Sequence, residues 1–213
     1  MPKKAIPATK SYHHGDLRRA LLDAALSLVA RQGVQGFTLR EAARAAEVSH
    51  NAPYRHFATR TQLLVALAIE GQQRMLESLQ AAVENRGSRR ARLVELGRAY
   101  LQFGCDHTAY FRVMYSNEVA ANATPELAAA QNATFAFFEQ EIRAGEAEGL
   151  FRKGQTGNHA LVGWSAIHGA TTLVLDGLVQ GTAIFANYQP TDLARLVIDS
   201  VLDGILKPQV HRL

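Results

Sequence analysis

Phe37-Thr38-Leu39-Arg40-Glu41-Ala42-Ala43-Arg44-Ala45-Ala46-Glu47-Val48-Ser49-His50-Asn51-Ala52-Pro53-Tyr54-Arg55-His56-Phe57 is the most informative run in this 213-residue chain. Thr38 and Glu41 have the spacing of a capping box. The hydroxyl takes a free amide of the first turn and the carboxylate reaches back to the cap amide. Apolar Leu39, Ala42, Ala43 and Ala46 follow at helical steps and predict a short helix. Val48 closes a tight turn, and Ser49 is placed to cap another short helix running to about Phe57.

Upstream, Leu17, Ala20, Leu21, Ala24, Ala25, Leu28 and Val29 line one face of a helix that Gly33 stops. Downstream, Thr59-Arg60-Thr61-Gln62 repeats the capping-box spacing and opens a long helix ending near Asn85–Gly87. Further helices are predicted near 88–105, 107–115, 124–147, 156–180 and 190–206. Gly145, Gly149, Gly154 and Gly157 fall in the loop after the third, and Pro190 opens the last. No alternating polar–apolar run is long enough for a sheet, so the fold class is all-α. The organisation predicted is a flexible basic arm (1–12), a three-helix helix-turn-helix unit (13–60) and a larger helical body (61–213).

With 47% hydrophobic and 20% charged residues, the composition supports a packed core and excludes disorder or a fibrous repeat. The lone Cys105 cannot make an internal disulfide, which favours a reducing cytoplasm. The apolar run 160–179 is broken by Gly163, His168, Thr171, Thr172 and Asp176, and no apolar segment follows Lys3, Lys4 and Lys10, so neither a membrane span nor a secretory signal is expected. Charge is uneven: residues 1–60 hold ten Lys/Arg against four Asp/Glu, while the remainder is slightly acidic. A basic front on a near-neutral body points to a polyanionic partner, nucleic acid first, the alternative being a solubilising tail.

A helix-turn-helix unit sets its second short helix in the major groove. That segment presents His50, Asn51, Tyr54 and His56, all able to hydrogen-bond. Asn suits adenine, and an arginine such as Arg40 suits guanine. Arg60 begins a helix, where the macrodipole disfavours a cation unless a phosphate binds there too. Residues 17–67, through the motifs at 37–43 and Val48-Ser49 to Pro53-Tyr54-Arg55-His56-Phe57 and Leu63-Leu64, resemble the DNA-binding domain of tetracycline-repressor (TetR) family regulators. The resemblance implies a nine-helix homodimeric repressor on double-stranded DNA, with a ligand-binding C-terminal domain. It carries DNA contacts onto Thr38, Arg40, Ser49, His50, Asn51, Tyr54, His56 and Arg60, and places Val48 and Phe57 in the core. Two departures stand out. Glu47 replaces the frequent turn glycine, and a left-handed non-glycine costs about 1 kcal/mol, which points to a turn built differently. Pro53 replaces the usual leucine and must lie in the first turn of its helix.

In the body, Phe103, His107, Tyr110, Phe111, Met114 and Tyr115 cluster in sequence, Phe135 and Phe138 lie a turn apart, and Trp164 shares a helix face with His168. Trp164-Ser165-Ala166-Ile167-His168-Gly169 resembles a Trp…His-Gly signature of one subset of TetR-family C-terminal domains. These aromatic, His and Met side chains are the candidate wall of a small-molecule effector pocket, or alternatively plain core. Gly163, Ala166 and Ala170 form a small-residue stripe, and Leu196, Val197, Val201 and Ile205 leave the last helix apolar on more than one side. These residues are the candidate dimer face, the alternative being burial within one subunit. No catalytic motif, cofactor loop or metal-ligand spacing appears. A competing reading is a helical binding protein or enzyme using His107 and His168, with only polyanion affinity at its basic end.

Overall fold

The computed structural model describes residues 14–84, 87–183 and 187–205, and every regular element among them is helical. The order is α1 (His14–Gln32), α2 (Leu39–Ala45), a single 3-10 turn (Pro53–Arg55), α3 (Arg60–Val83), α4 (Arg89–Asp106), α5 (Thr108–Met114), α6 (Asn117–Ala121), α7 (Pro125–Ala147), α8 (Thr156–Leu175) and α9 (Pro190–Ile205). The expected arm, residues 1–12, lies outside the described residues.

Local caps account for most starts. The Thr38 hydroxyl accepts the Glu41 amide at 3.2 Å while Glu41 accepts the Thr38 amide at 2.8 Å. Thr59 accepts the Gln62 amide at 3.1 Å, but Gln62 reaches one residue further back, to the Ala58 amide at 2.7 Å. Ser116 caps α6, a five-residue helix with only Val119 buried, too short for its pattern to stand out in sequence.

Three segments depart from expectation. The helix predicted over 49–57 is one turn, with Pro53 in its first position and no side-chain cap from Ser49. Pro53 has no amide to continue an α-helix from Ser49, whose carbonyl instead takes the Ala52 amide at 2.9 Å. Glu47 does adopt a left-handed backbone, φ +56°, so the turn is built on the usual geometry with an unusual residue. The Glu47 and Val48 amides return to the Arg44 and Ala43 carbonyls at 3.1 and 3.0 Å, a Schellman ending. The helix predicted to run to residue 180 ends at Leu175 in the same way, with Gly177 at φ +71°. Gly145 and Gly157 lie inside α7 and α8, not in the loop between them.

One apolar cluster runs from the front of the molecule to the back. It takes in Leu21, Phe37, Phe57 and Leu63 at the front, and Tyr100, Phe111, Leu127 and Ile198 behind. α3 carries it across, packing on α4, α5 and α7, while α4 also meets α8 and α9. Two buried carboxylates tie the body together. Glu141 sits between Arg89 and Arg92, and Glu146 accepts the Gly154 and Gln155 amides and the Thr156 hydroxyl. Burial works against ionisation of Glu141, but the two guanidiniums hold it below the usual carboxylate range.

Candidate functional site

At the front, Phe37, Leu39, Ala42, Pro53 and Phe57 are buried and make an apolar base. Above it Thr38, Arg40, Ser49, His50 and Asn51 are exposed, and Tyr54 is 51% exposed despite its large apolar ring. His56 is half-buried with its ring 6.5 Å from that of Phe57. Arg44 and Arg55 are also exposed, adding two cations that the sequence reading had not assigned to a site. Six of the eight residues expected to contact DNA are therefore solvent-exposed, next to a buried apolar base.

Arg60 does something else. Its guanidinium pairs with Glu118 of α6, donates to the Val34 carbonyl at 2.6 Å and the Gln35 side chain at 3.1 Å, and lies 5.3 Å from the Phe37 ring centroid. Thr61 also donates to Glu118, at 2.8 Å. The partners of Arg60 are thus supplied from within the chain, where it clasps the helix-turn-helix unit to α6. Glu118 is 58 residues away in sequence, so no local pattern announces it.

The body holds a cavity of about 380 Å³ bounded by α3 to α8. Of the expected wall residues, Met114, Tyr115, Phe135, Phe138 and Trp164 line it. Phe111 and His168 instead face a cleft of about 310 Å³ that reaches Gly33 and Val34 at the front. Phe103, His107 and Tyr110 point to other surfaces of the helix bundle. Tyr110 is held by its hydroxyl on Glu70 at 2.7 Å and by Arg74, 5.4 Å from its ring centroid. His107 and His168 are therefore not brought together, and the competing enzymatic reading loses its proposed site.

The sequence reading missed Gln72, Tyr100 and Thr134, which also line the cavity. Gln72 and Thr134 are 4% and 6% exposed. Both interrupt apolar helix faces, Gln72 between Ala68 and Met75, and a buried polar residue on such a face is the signal that would have found them. Tyr100 centres a hydrogen-bond network: its hydroxyl lies 2.8 Å from both the Tyr115 hydroxyl and His168 Nδ1, and accepts Trp164 Nε1–H at 3.2 Å. Burial raises the Tyr100 phenol pKa far above its ordinary range and lowers that of His168, so both stay neutral. Tyr115 borders both the cavity and the cleft, joining them through one side chain.

At the back, the expected dimer residues divide. Ala170 is buried, Gly163 and Val201 border a small apolar gap within the subunit, and Ala166 and Val197 are half-buried. Leu196 is exposed, and the Ile205 side chain lies outside the described residues. Leu161, Val162 and Leu173 form an exposed apolar strip on α8 that the sequence reading had not singled out. Among the described residues no helix is long and apolar enough to cross a membrane, and no three metal-ligating side chains converge.

A reader unit with exposed polar side chains on a buried base, carried by a helical body with its own cavity, defines a DNA-binding regulator of the helix-turn-helix class. Residues 21–67 match the family described as bacterial regulatory proteins, tetR family, and residues 93–201 match the tetracyclin repressor-like C-terminal domain. The chain belongs to the TetR family of transcriptional regulators. No protein of curated function matches it by sequence. A Rhodococcus sp. RHA1 protein described as of unknown function is 34% identical with a TM-score of 0.80, over 93% of this chain and 100% of its own. A tetR-family regulatory protein, also from Rhodococcus RHA1, is 25% identical with a TM-score of 0.69, over 93% and 98%. A tetR-family regulator from Shewanella sp. PV-4 shares the fold at 20% identity and a TM-score of 0.69, over 90% and 98%.

Proposed function

We propose that this regulator is a ligand-responsive repressor that binds a palindromic operator as a homodimer and is released by a small molecule in the 380 Å³ cavity. The observation that carries the reading is the exposed polar row Thr38, Arg40, Ser49, His50, Asn51 and Tyr54 on its buried apolar base. Tyr54 and the half-buried His56 serve as phosphate contacts, while Arg40, His50 and Asn51 stand nearer the bases. The exposed apolar strip of Leu161, Val162 and Leu173, with Leu196, supports pairing about a two-fold axis, which sets two reader units about 34–36 Å apart or a multiple of that. The Arg60–Glu118 clasp supports the link to the ligand: α6 also contributes Ala120 to the cavity wall, so a shift of α6 reaches Val34 and Gln35 through Arg60.

Operator sequences selected from random DNA test the reading by mobility shift. Tyr54→Ala weakens binding to every sequence about equally with little change in its salt dependence, since a phenol carries no charge, whereas Asn51→Ala relaxes preference at one base position. Binding unchanged in both variants rules out this surface as the DNA contact.

A further inference from the structure

We infer that the cavity selects an uncharged aromatic molecule carrying a hydrogen-bonding group, and discriminates against the carboxylate analogue of the same molecule. The inference rests on the effector reading above and names the chemistry of its ligand.

The argument begins with what surrounds the cavity. None of its lining side chains is charged. Seven of the eight arginines on the helices that build it meet acids among the described residues, exposed Arg143 on α7 being the exception: Arg60 and Arg74 on α3 meet Glu118 and Glu70, and Arg112 on α5 meets Asp176. On α4, Arg89 and Arg92 converge on Glu141, Arg90 meets Asp199 and Arg98 meets Glu95. A carboxylate entering this space would give up part of its hydration with no countercharge to replace it.

The walls favour a neutral aromatic. Phe135, Phe138 and Trp164 offer ring faces and edges, and the volume of about 380 Å³ is more than twice the roughly 150 Å³ of a cavity that holds one benzene. Polar partners come from buried Gln72, which hydrogen-bonds Tyr115, and from Gln131 and Asn132. Asn132 is exposed and Gln131 partly so. Amides and phenols both donate and accept, so they suit an amide or a phenol, which do the same, whereas a carboxylate can only accept. Gln72 already bonds Tyr115, and its remaining donor and acceptor capacity favours a ligand that carries a hydrogen-bonding group.

Cinnamamide and cinnamate share one skeleton and differ in charge, and calorimetric titration of the full-length protein with each at neutral pH tests the inference. The amide binds at least tenfold more tightly than the acid. Asn132→Lys, at an exposed position, leaves the fold intact and supplies the missing countercharge, raising cinnamate affinity relative to cinnamamide at least tenfold. Cinnamate binding as tightly as cinnamamide to the unaltered protein overturns the inference, as does absence of heat from both at millimolar concentration. A mobility shift on the selected operator in the same samples separates the two readings. Cinnamate that binds tightly and releases DNA sinks the ligand class alone. Cinnamamide that binds and leaves DNA affinity unchanged sinks the effector role alone.

Discussion

Tyrosine, histidine and arginine occur in both halves of this molecule with opposite fates. At the front, Tyr54 is 51% exposed and Arg40 and His50 stand in solvent above an apolar base. In the body, Tyr100 is 1% exposed and serves three partners, His168 is one of them, and Arg60 is committed to Glu118 at the border between the two. The contrast shows that residue type alone does not mark a recognition surface. A polar side chain is available to a partner only where the chain itself has not already supplied one, and that depends on residues far away in sequence.

The largest expected effect comes from breaking the body's side of this contrast. Tyr100→Phe removes one hydroxyl and leaves Trp164 Nε1–H, His168 Nδ1 and the Tyr115 hydroxyl short of a partner. Stranding buried polar groups costs about 1–3 kcal/mol, at the upper end when several lose one partner together. Urea denaturation should show a lower midpoint at unchanged slope. Tyr54→Phe, the same chemical change at the front, should leave the midpoint where it is and weaken DNA binding instead. Equal stability losses would mean that Tyr54 is also a structural residue.

The helices and their caps were legible because their determinants lie within a few residues: Thr38 with Glu41, Thr59 with Gln62, apolar positions three and four apart. The exposed polar row was legible for the same reason, since α2 and the Pro53 turn set it locally. The cavity was only half legible. Met114, Tyr115, Phe135, Phe138 and Trp164 declare themselves as aromatic or apolar, but Gln72, Tyr100 and Thr134 become its wall only when α3, α4 and α7 pack together. Phe103, His107 and Tyr110 lie close to cavity residues in sequence but are turned away from it by the break between α4 and α5 at His107.

A second, smaller effect sharpens the border between the halves. Arg60→Ala leaves Glu118, 17% exposed, facing Thr61 alone and frees the Val34 carbonyl. Partial exposure of both side chains limits the loss to about 1–2 kcal/mol, below that of a fully buried pair. Arg40→Ala should change stability by no more than about 0.5 kcal/mol while still reducing DNA affinity. Glu118→Gln probes the clasp from its other side and should match Arg60→Ala in stability. If Arg60→Ala weakens DNA binding with no fall in the urea midpoint, Arg60 is a phosphate contact after all and the clasp carries no weight.

The smallest effect compares two helix endings of one geometry. α2 and α8 both close in a Schellman turn with a left-handed residue, Glu47 at φ +56° and Gly177 at φ +71°. Glycine has no Cβ to strain there, whereas glutamate carries about 1 kcal/mol of backbone cost. Glu47→Gly should raise the stability of the front by less than that amount, because glycine also adds freedom to the unfolded chain. Gly177→Ala should lower stability by about 1 kcal/mol for the converse reasons, and nothing lies within 4 Å of the added Cβ to confuse the result with a clash. Operator affinity should be indifferent to both changes, since neither alters the side chains above the apolar base. A loss of affinity in Glu47→Gly would show that the glutamate, exposed beside the turn, is itself part of the reading surface, a role its backbone strain would then have been retained to serve.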